Sequence, residues 1–180
     1  FKEWRVLVHF SIPSFLTLAV IGPGYWISNA FLANENNGYA ELGIFNAASQ
    51  WQGAISFLPN LIGTAMIPVM SQKIGAGDRA GSLMIMWKMI GTVAFIVLPV
   101  AVVVALASPW IMMGYGSAFQ SGYRAIIILC VVGALSAAMY PTSQYVIAAG
   151  KMWPAFYINA VSMIVMVGAS FVLARHGAEG

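Results

Sequence analysis

Residues 57–81 read FLPNLIGTAMIPVMSQKIGAGDRAG. The run from Phe57 to Met70 carries no charge but holds two prolines, Pro59 and Pro68, and it stops at a glycine-rich turn with Lys73, Asp78 and Arg79. Inside a helix in water each proline would cost ~3 kcal/mol through a lost hydrogen bond and a ring clash. A membrane helix tolerates them, because neighbouring helices, hydroxyls and ordered water can satisfy the freed carbonyls. Whether this stretch is a broken soluble helix or a kinked membrane span is settled by the rest of the chain.

Of the 180 residues, 61% are hydrophobic and 7% charged, with a mean hydropathy of +0.84. An ordinary soluble domain is about 25% charged. The charges cluster so as to leave uncharged runs at 6–34, 42–72, 89–123, 125–150 and 152–174. Each run exceeds the ~20 residues that cross a ~30 Å hydrocarbon core at ~1.5 Å per residue. The expected fold is therefore all-α, a polytopic membrane bundle of five helices at about 7–31, 44–71, 82–107, 124–148 and 152–174. The first run is too long for a signal peptide, and further spans follow it. A chain that begins at Phe1 and crosses five times would have its ends on opposite faces, so residues 1–180 are expected to be a single transmembrane domain of a larger transporter-like protein.

Alternating connections place Lys2, Arg5, Lys73, Arg79 and Lys151 on one face, with Lys88 just inside the third span, against only Arg124 and Arg175 on the other. The positive-inside rule makes the first face cytoplasmic. Trp4, Trp87 and Trp153 fall near the cytoplasmic ends of spans and Trp26, Trp51 and Trp110 near the outer ends, where an indole can bury its ring and keep its N–H wet. Residues 32–43 form an expected polar outer hairpin, 72–81 a short inner turn, and 149–151 a tighter one. The stretch 108–123 is too apolar for a free loop and is expected along the outer interface. Short turns imply adjacent antiparallel helices in one packed unit.

Polar residues recur inside the apolar runs. Asn46, Ser49, Gln50, Gly53, Ser56, Asn60, Gly63 and Thr64 share one face of the second helix by their spacing of three and four. Gly133, Ser136, Tyr140, Ser143 and Gln144 do so in the fourth, and Asn159, Ser162 and Ser170 more loosely in the fifth. Two readings compete. Small residues and amides can simply pack helices together, at about 0.6–2 kcal/mol per interhelical hydrogen bond. Alternatively the faces line a hydrated cavity. Packing suits the glycines and serines better, whereas Asn46, Gln50, Asn60 and Gln144 fit both. Lys88 and Arg124, near opposite ends of the third and fourth spans, can snorkel to the interface or line a path for an anionic headgroup.

None of the five acids falls well inside a span, so no intramembrane carboxylate is expected to couple protons or sodium. Gly75 to Asp78 lacks the preceding strand and the Gly-Lys-Ser/Thr ending of a phosphate loop. His9 and His176 sit on opposite faces and cannot share a metal, and Cys130 is alone, so neither a metal nor another cofactor is expected. No nucleophile, base and acid assemble, so the chain is not expected to be an enzyme. The basic residues are scattered singly at helix ends and do not suggest nucleic acid.

The order of features resembles the polysaccharide flippases of the multidrug, oligosaccharidyl-lipid and polysaccharide exporter superfamily, the group that includes the O-antigen flippases. Trp4-Arg5-Val6-Leu7 with Phe10-Ser11-Ile12-Pro13 is similar to the family's entry into its seventh helix. Phe45 to Gln50, Phe57-Leu58-Pro59, Pro68, Ser71 and Gly77-Asp78 resemble its eighth helix and the loop after it. Ser108-Pro109, Tyr115-Gly116, Phe119 and Ile127 to Leu129 resemble the segment leading to the tenth, and Gly150-Lys151 the turn before the eleventh.

The resemblance implies two six-helix lobes around a cavity open alternately to cytoplasm and periplasm, with this chain as most of the second lobe and the first lobe as its partner. It also implies a bacterial inner membrane, a cytoplasmic amino end, and an undecaprenyl-diphosphate-linked oligosaccharide turned over between leaflets, with glycan polymerase machinery as a further partner. Lys88 and Arg124 then become candidates to hold the diphosphate, and Asn46, Gln50, Asn60, Tyr140 and Gln144 candidates to meet sugar. Pro59 and Pro68 become kink sites, and either a moving hinge or a fixed packing bend fits them. Rivals are a cation-coupled multidrug exporter, a peptidoglycan-precursor flippase, and a structural or assembly protein whose polar stripes only pack helices.

Overall fold

The computed structural model describes Trp4 and residues 7–174, so Lys2, Glu3, Arg5, Arg175 and His176 lie outside the described residues. A π-helical turn, Leu7–Ser11, leads into α1 (Ile12–Ala33), followed by α2 (Gly38–Gly75), α3 (Arg79–Tyr115), a 3-10 segment (Ser117–Gly122), α4 (Tyr123–Ala148) and α5 (Met152–Leu173). All five helices are long and apolar enough to cross a membrane.

Two helices are much longer than the expected 44–71 and 82–107. α2 has 38 residues and α3 has 37, about 55 Å each at ~1.5 Å per residue. The expected outer hairpin shrinks to residues 34–37, where Asn37 adopts a left-handed φ of 60° that an asparagine tolerates better than most residues. Glu41 falls in the first turn of α2, where an acid is favoured by the helix dipole. The first half of the segment expected along the outer interface, 108–115, continues α3, because Ser108 and Met112 extend the buried stripe Val93, Val97, Ala101 and Val104 at spacings of three and four.

Spatial order does not follow chain order. α2 and α4, which run parallel, make the most extensive contact. Their register holds along the whole length: Gly122 sits under Ile44, Gly133 beside Gln52 and Gly63 beneath the Tyr140 ring, and Ser71 Oγ donates to the Ala148 carbonyl at 3.4 Å. α3 packs antiparallel across this pair. The resulting core includes Ile44, Ala48, Ile55, Val97, Ile126 and Cys130, with a smaller methionine cluster of Met70, Met86 and Met89 at one end.

α1 and α5 form a second parallel pair. Met163 packs on Gly24, Phe31 meets Phe171 edge-on at 5.4 Å, and the Trp153 indole N–H donates to the Val8 carbonyl at 3.1 Å. Short turns were expected to make neighbours in sequence neighbours in space, yet α4 and α5 touch little despite a turn of only three residues. Gly150, at φ 67°, turns the chain sharply enough for α5 to leave α4 and pack on α1. The chain thus forms two parallel-paired units. Outward-facing Phe95, Leu106, Ile164 and Phe171 are all more than 60% exposed, as suits a surface that meets lipid rather than water.

The contacts also sort the ends. Val8, Ser71, Ala148 and Trp153 meet at the face of the 76–78 and 149–151 turns, and Ile44, Met112 and Gly122 meet at the other. Trp4, Trp26, Trp87 and Trp110 are each at least 66% exposed, which fits interfacial indoles. Trp51 departs from that expectation. It lies thirteen residues into the lengthened α2, packs against the core, and buries an indole nitrogen that finds no acceptor among the described residues.

In the α2–α3 turn Lys73 Nζ donates to Asp78 Oδ2 at 2.8 Å, and the Gly81 N–H donates to Asp78 Oδ1 at 2.8 Å, capping α3. The lysine first, and the amide second, hold the Asp78 carboxyl below its usual pKa. A depressed carboxylate adds stability above its unfolded pKa and loses it as pH falls through the lower folded value. Protection of the Gly81 amide, measured as an exchange protection factor, should therefore persist from neutral pH to below 3.8 and then drop. Asp78→Asn should flatten that profile.

The α2–α4 seam gives a second expectation. A Cβ at Gly63 would overlap the Tyr140 ring, whereas one at Gly53 meets open space. Gly63→Val should lower the thermal stability of the full protein in detergent by about 1–3 kcal/mol through overpacking. Gly53→Ala should be neutral or slightly stabilising, and an equal loss in both variants would rule out the seam as the cause.

Candidate functional site

The polar stripe of α2 separates into two kinds of position. Asn46, Gln50, Gly53, Asn60 and Thr64 are exposed, together with Phe57 and Pro68 on the same side, while Ile44, Ala47, Ala48, Ile55, Pro59, Gly63 and Met70 are buried against the other helices. Among the described residues nothing packs on Gly53, whereas Gly63 and Gly133 lie against side chains of the neighbouring helix. Among the described residues, no group hydrogen-bonds the side-chain amides of Asn46, Gln50 or Asn60. An amide left unpaired in an apolar medium costs several kcal/mol. This face of α2 is thus a row of unused donors and acceptors some 20 Å long, at ~1.5 Å per residue from Asn46 to Asn60.

Hydroxyls on the helices behave differently. Ser49 and Thr64 donate to the carbonyls of Phe45 and Asn60, four residues back, at 2.7 and 2.8 Å. Pro59 and Pro68 remove the N–H groups that would reach the Ile55 and Thr64 carbonyls. The Thr64 hydroxyl bonds neither of these; it takes the Asn60 carbonyl instead. The helix stays continuous through both prolines. Pro59 and Pro141 of α4 are both fully buried, while Pro68 is exposed.

Gln144 and Tyr140 do not join the open row. Gln144 is 4% exposed, its side chain lies with the Tyr140 ring against Gly63, and its Oε1 finds no donor among the described residues. Their spacing in α4 is that of the polar stripe, but the face they share is the α2 seam. Lys88 and Arg124 are exposed and far apart. Lys88 lies nine residues into α3, at the level of the Met86 and Met89 cluster, and Arg124 opens α4 at the other end, its Nε 3.2 Å from the Tyr123 hydroxyl. Roughly 33 Å of helix, about 22 residues at ~1.5 Å each, separates the two levels, so one diphosphate cannot touch both at once. Lys73 is engaged by Asp78.

A second feature escaped the sequence reading. Between α1, α4 and α5 lies a cleft of about 450 Å³ whose polar margin comprises Ser14, Thr17, Thr142, Ser143 and Asn159. None of the seven candidate substrate residues lines it. Ser143 and Asn159 belonged to visible stripes, but Ser14 and Thr17 stand in an apolar run whose partner helix begins almost 140 residues later. Among the described residues no three His, Cys, Asp or Glu side chains gather to hold a metal.

Over 188 aligned positions the chain is 28% identical to the EPS I polysaccharide export inner membrane protein EpsE of Ralstonia nicotianae, and equally to the protein of that name from Ralstonia solanacearum. The alignment covers 98% of this chain and 40% of each relative, so the chain spans well under half the length of the curated relatives it matches. No protein-family model and no solved structure matches it.

Proposed function

We propose that this chain is part of a polysaccharide-export protein of a bacterial inner membrane, and that the export step is the turnover of a polyprenyl-diphosphate-linked oligosaccharide between leaflets. The relatives support membrane polysaccharide export through their names. The observation that carries the finer reading is the unpaired amide row Asn46, Gln50 and Asn60 on the open side of α2. A sugar offers many hydroxyls that donate and accept, and a row of amides can exchange hydrogen bonds with successive hydroxyls while water leaves. In the whole protein this side of α2 faces the other lobe across a hydrated path.

Lys88 and Arg124 serve the diphosphate at different stages. Lys88 lies toward the end of the 76–78 and 149–151 turns and Arg124 toward the opposite end, so the headgroup passes from one cation to the other as the protein rocks. Lys73, Arg79 and Lys151 at the first end support its cytoplasmic placement by the positive-inside rule. The buried Pro59 is the bend about which the row tilts, and the exposed Pro68 contributes a second bend near the turn.

In the full protein, Lys88→Ala and Arg124→Ala should each lower surface glycan about tenfold, the loss of one hydrogen bond to a charged group, with membrane abundance unchanged. Asn60→Leu should lower glycan without lowering abundance as well. Normal glycan in all three variants would remove the row and both cations from the path. Pro59→Ala and Pro68→Ala separate the hinge from a fixed bend: slowed export at unchanged abundance supports motion, and full export in both rules it out.

A further inference from the structure

The cleft between α1, α4 and α5 differs from the α2 row in one chemical respect. Three of its polar side chains each direct an O–H or N–H donor to a carbonyl four residues back: Ser14 Oγ donates to the Phe10 carbonyl at 2.6 Å, Thr17 Oγ1 to the Pro13 carbonyl at 2.8 Å, and Asn159 Nδ2 to the Ala155 carbonyl at 2.8 Å. What remains on the wall is largely hydrocarbon from Leu18, Met139, Ile147 and Ile158. A sugar entering here would lose its water for few new hydrogen bonds, whereas an alkyl chain gains contact on three sides. The cleft lies among helices long and apolar enough to cross a membrane, so the chains of the bilayer itself are its immediate surroundings.

Charge selects among lipids. α1, α4, α5 and the 149–151 turn contain no acidic residue. Lys151, exposed, immediately precedes the lining residue Met152. It also stands at the start of α5, where no side chain caps the first N–H groups. An uncapped helix start beside a lysine favours a phosphate. Trp153, Phe156 and Tyr157 pack together one turn further on, the arrangement of side chains that sits at headgroup level.

We propose that this cleft is a binding site for an anionic bilayer phospholipid, with one acyl chain between α1, α4 and α5 and the phosphate at Lys151. The site is separate from the sugar row and does not depend on the proposed export step.

Native mass spectrometry of the full protein, released from mixed phosphatidylglycerol and phosphatidylcholine vesicles, tests the assignment. The unaltered protein should retain one phosphatidylglycerol in preference to phosphatidylcholine. Lys151→Gln should reduce that preference about fivefold. Leu18→Trp and Ile158→Trp replace side chains that are 71% and 64% exposed, so they fill the cleft without entering the core. Both should lose the retained lipid while keeping the protein's thermal unfolding in detergent unchanged. Retention of phosphatidylglycerol in both tryptophan variants would overturn the proposal. So would displacement of phosphatidylglycerol by equimolar polyprenyl phosphate, which would assign the cleft to the substrate's tail, or an absence of retained lipid in the unaltered protein, which would assign it to another part of the same protein.

Discussion

The close approach of α2 and α4 is the contact on which the rest of the molecule depends. Two helices in lipid approach closely where a small residue on one faces a larger side chain on the other. Gly63 meets Tyr140 and Gln144, and Gly133 meets Gln52, where in each case a side chain rests on a bare backbone. That seam buries one side of each helix and orients the other. With Ile44, Ala48, Ile55 and Pro59 committed to the interior, Asn46, Gln50 and Asn60 have no direction left except away from it. Without a hydrophobic driving force in lipid, packing of this kind and a few hydrogen bonds must hold the helices together. The same seam explains why Gln144 is buried: a long polar side chain fits there because Gly63 leaves room.

The second consequence is the division of the chain into two paired units. α1 and α5 come from the two ends of the sequence yet pack along one another, and they touch the three central helices far less than they touch each other. Where α1 and α5 stand beside the end of α4 a space remains that neither unit fills, and that space is the cleft next to Lys151. The row on α2 and the cleft thus differ in chemistry. Among the described residues Asn46, Gln50 and Asn60 make no side-chain hydrogen bond, whereas Ser14, Thr17 and Asn159 each bond the carbonyl four residues back. A residue's polarity in the sequence thus says less than where its donor is used.

Much of the fold could be read before any coordinates. Long uncharged runs gave the five spans, because length and apolarity alone decide whether a helix can cross hydrocarbon. The boundaries were read less well. Polar residues suggested a long 32–43 hairpin and the stretch from 108 an interfacial segment, but Glu41 is compatible with a helix start, and the buried Ser108 and Met112 carry α3 on past Pro109. Trp51 was placed at an interface because the helix around it was drawn too short. Periodicity put Asn46, Gln50, Asn60 and Thr64 on one face of α2, and they share it. It also grouped Tyr140 and Gln144 with the same kind of face in α4, where the period was right but the neighbour was α2 rather than open space.

By itself the sequence determined what this chain is made of: five membrane-length helices, bases gathered toward one face in their connecting turns, and polar residues at helical spacing. These follow from local chemistry, since hydropathy, charge and a 3.6-residue period belong to each segment alone. Tertiary structure decided which faces meet. Which helix lies against α2, whether an amide is buried or open, and whether a serine bonds a neighbour or its own carbonyl depend on partners that are distant in the chain. α1 finds α5 across almost the whole sequence, and the cleft they form with α4 has no signature in any one of the three.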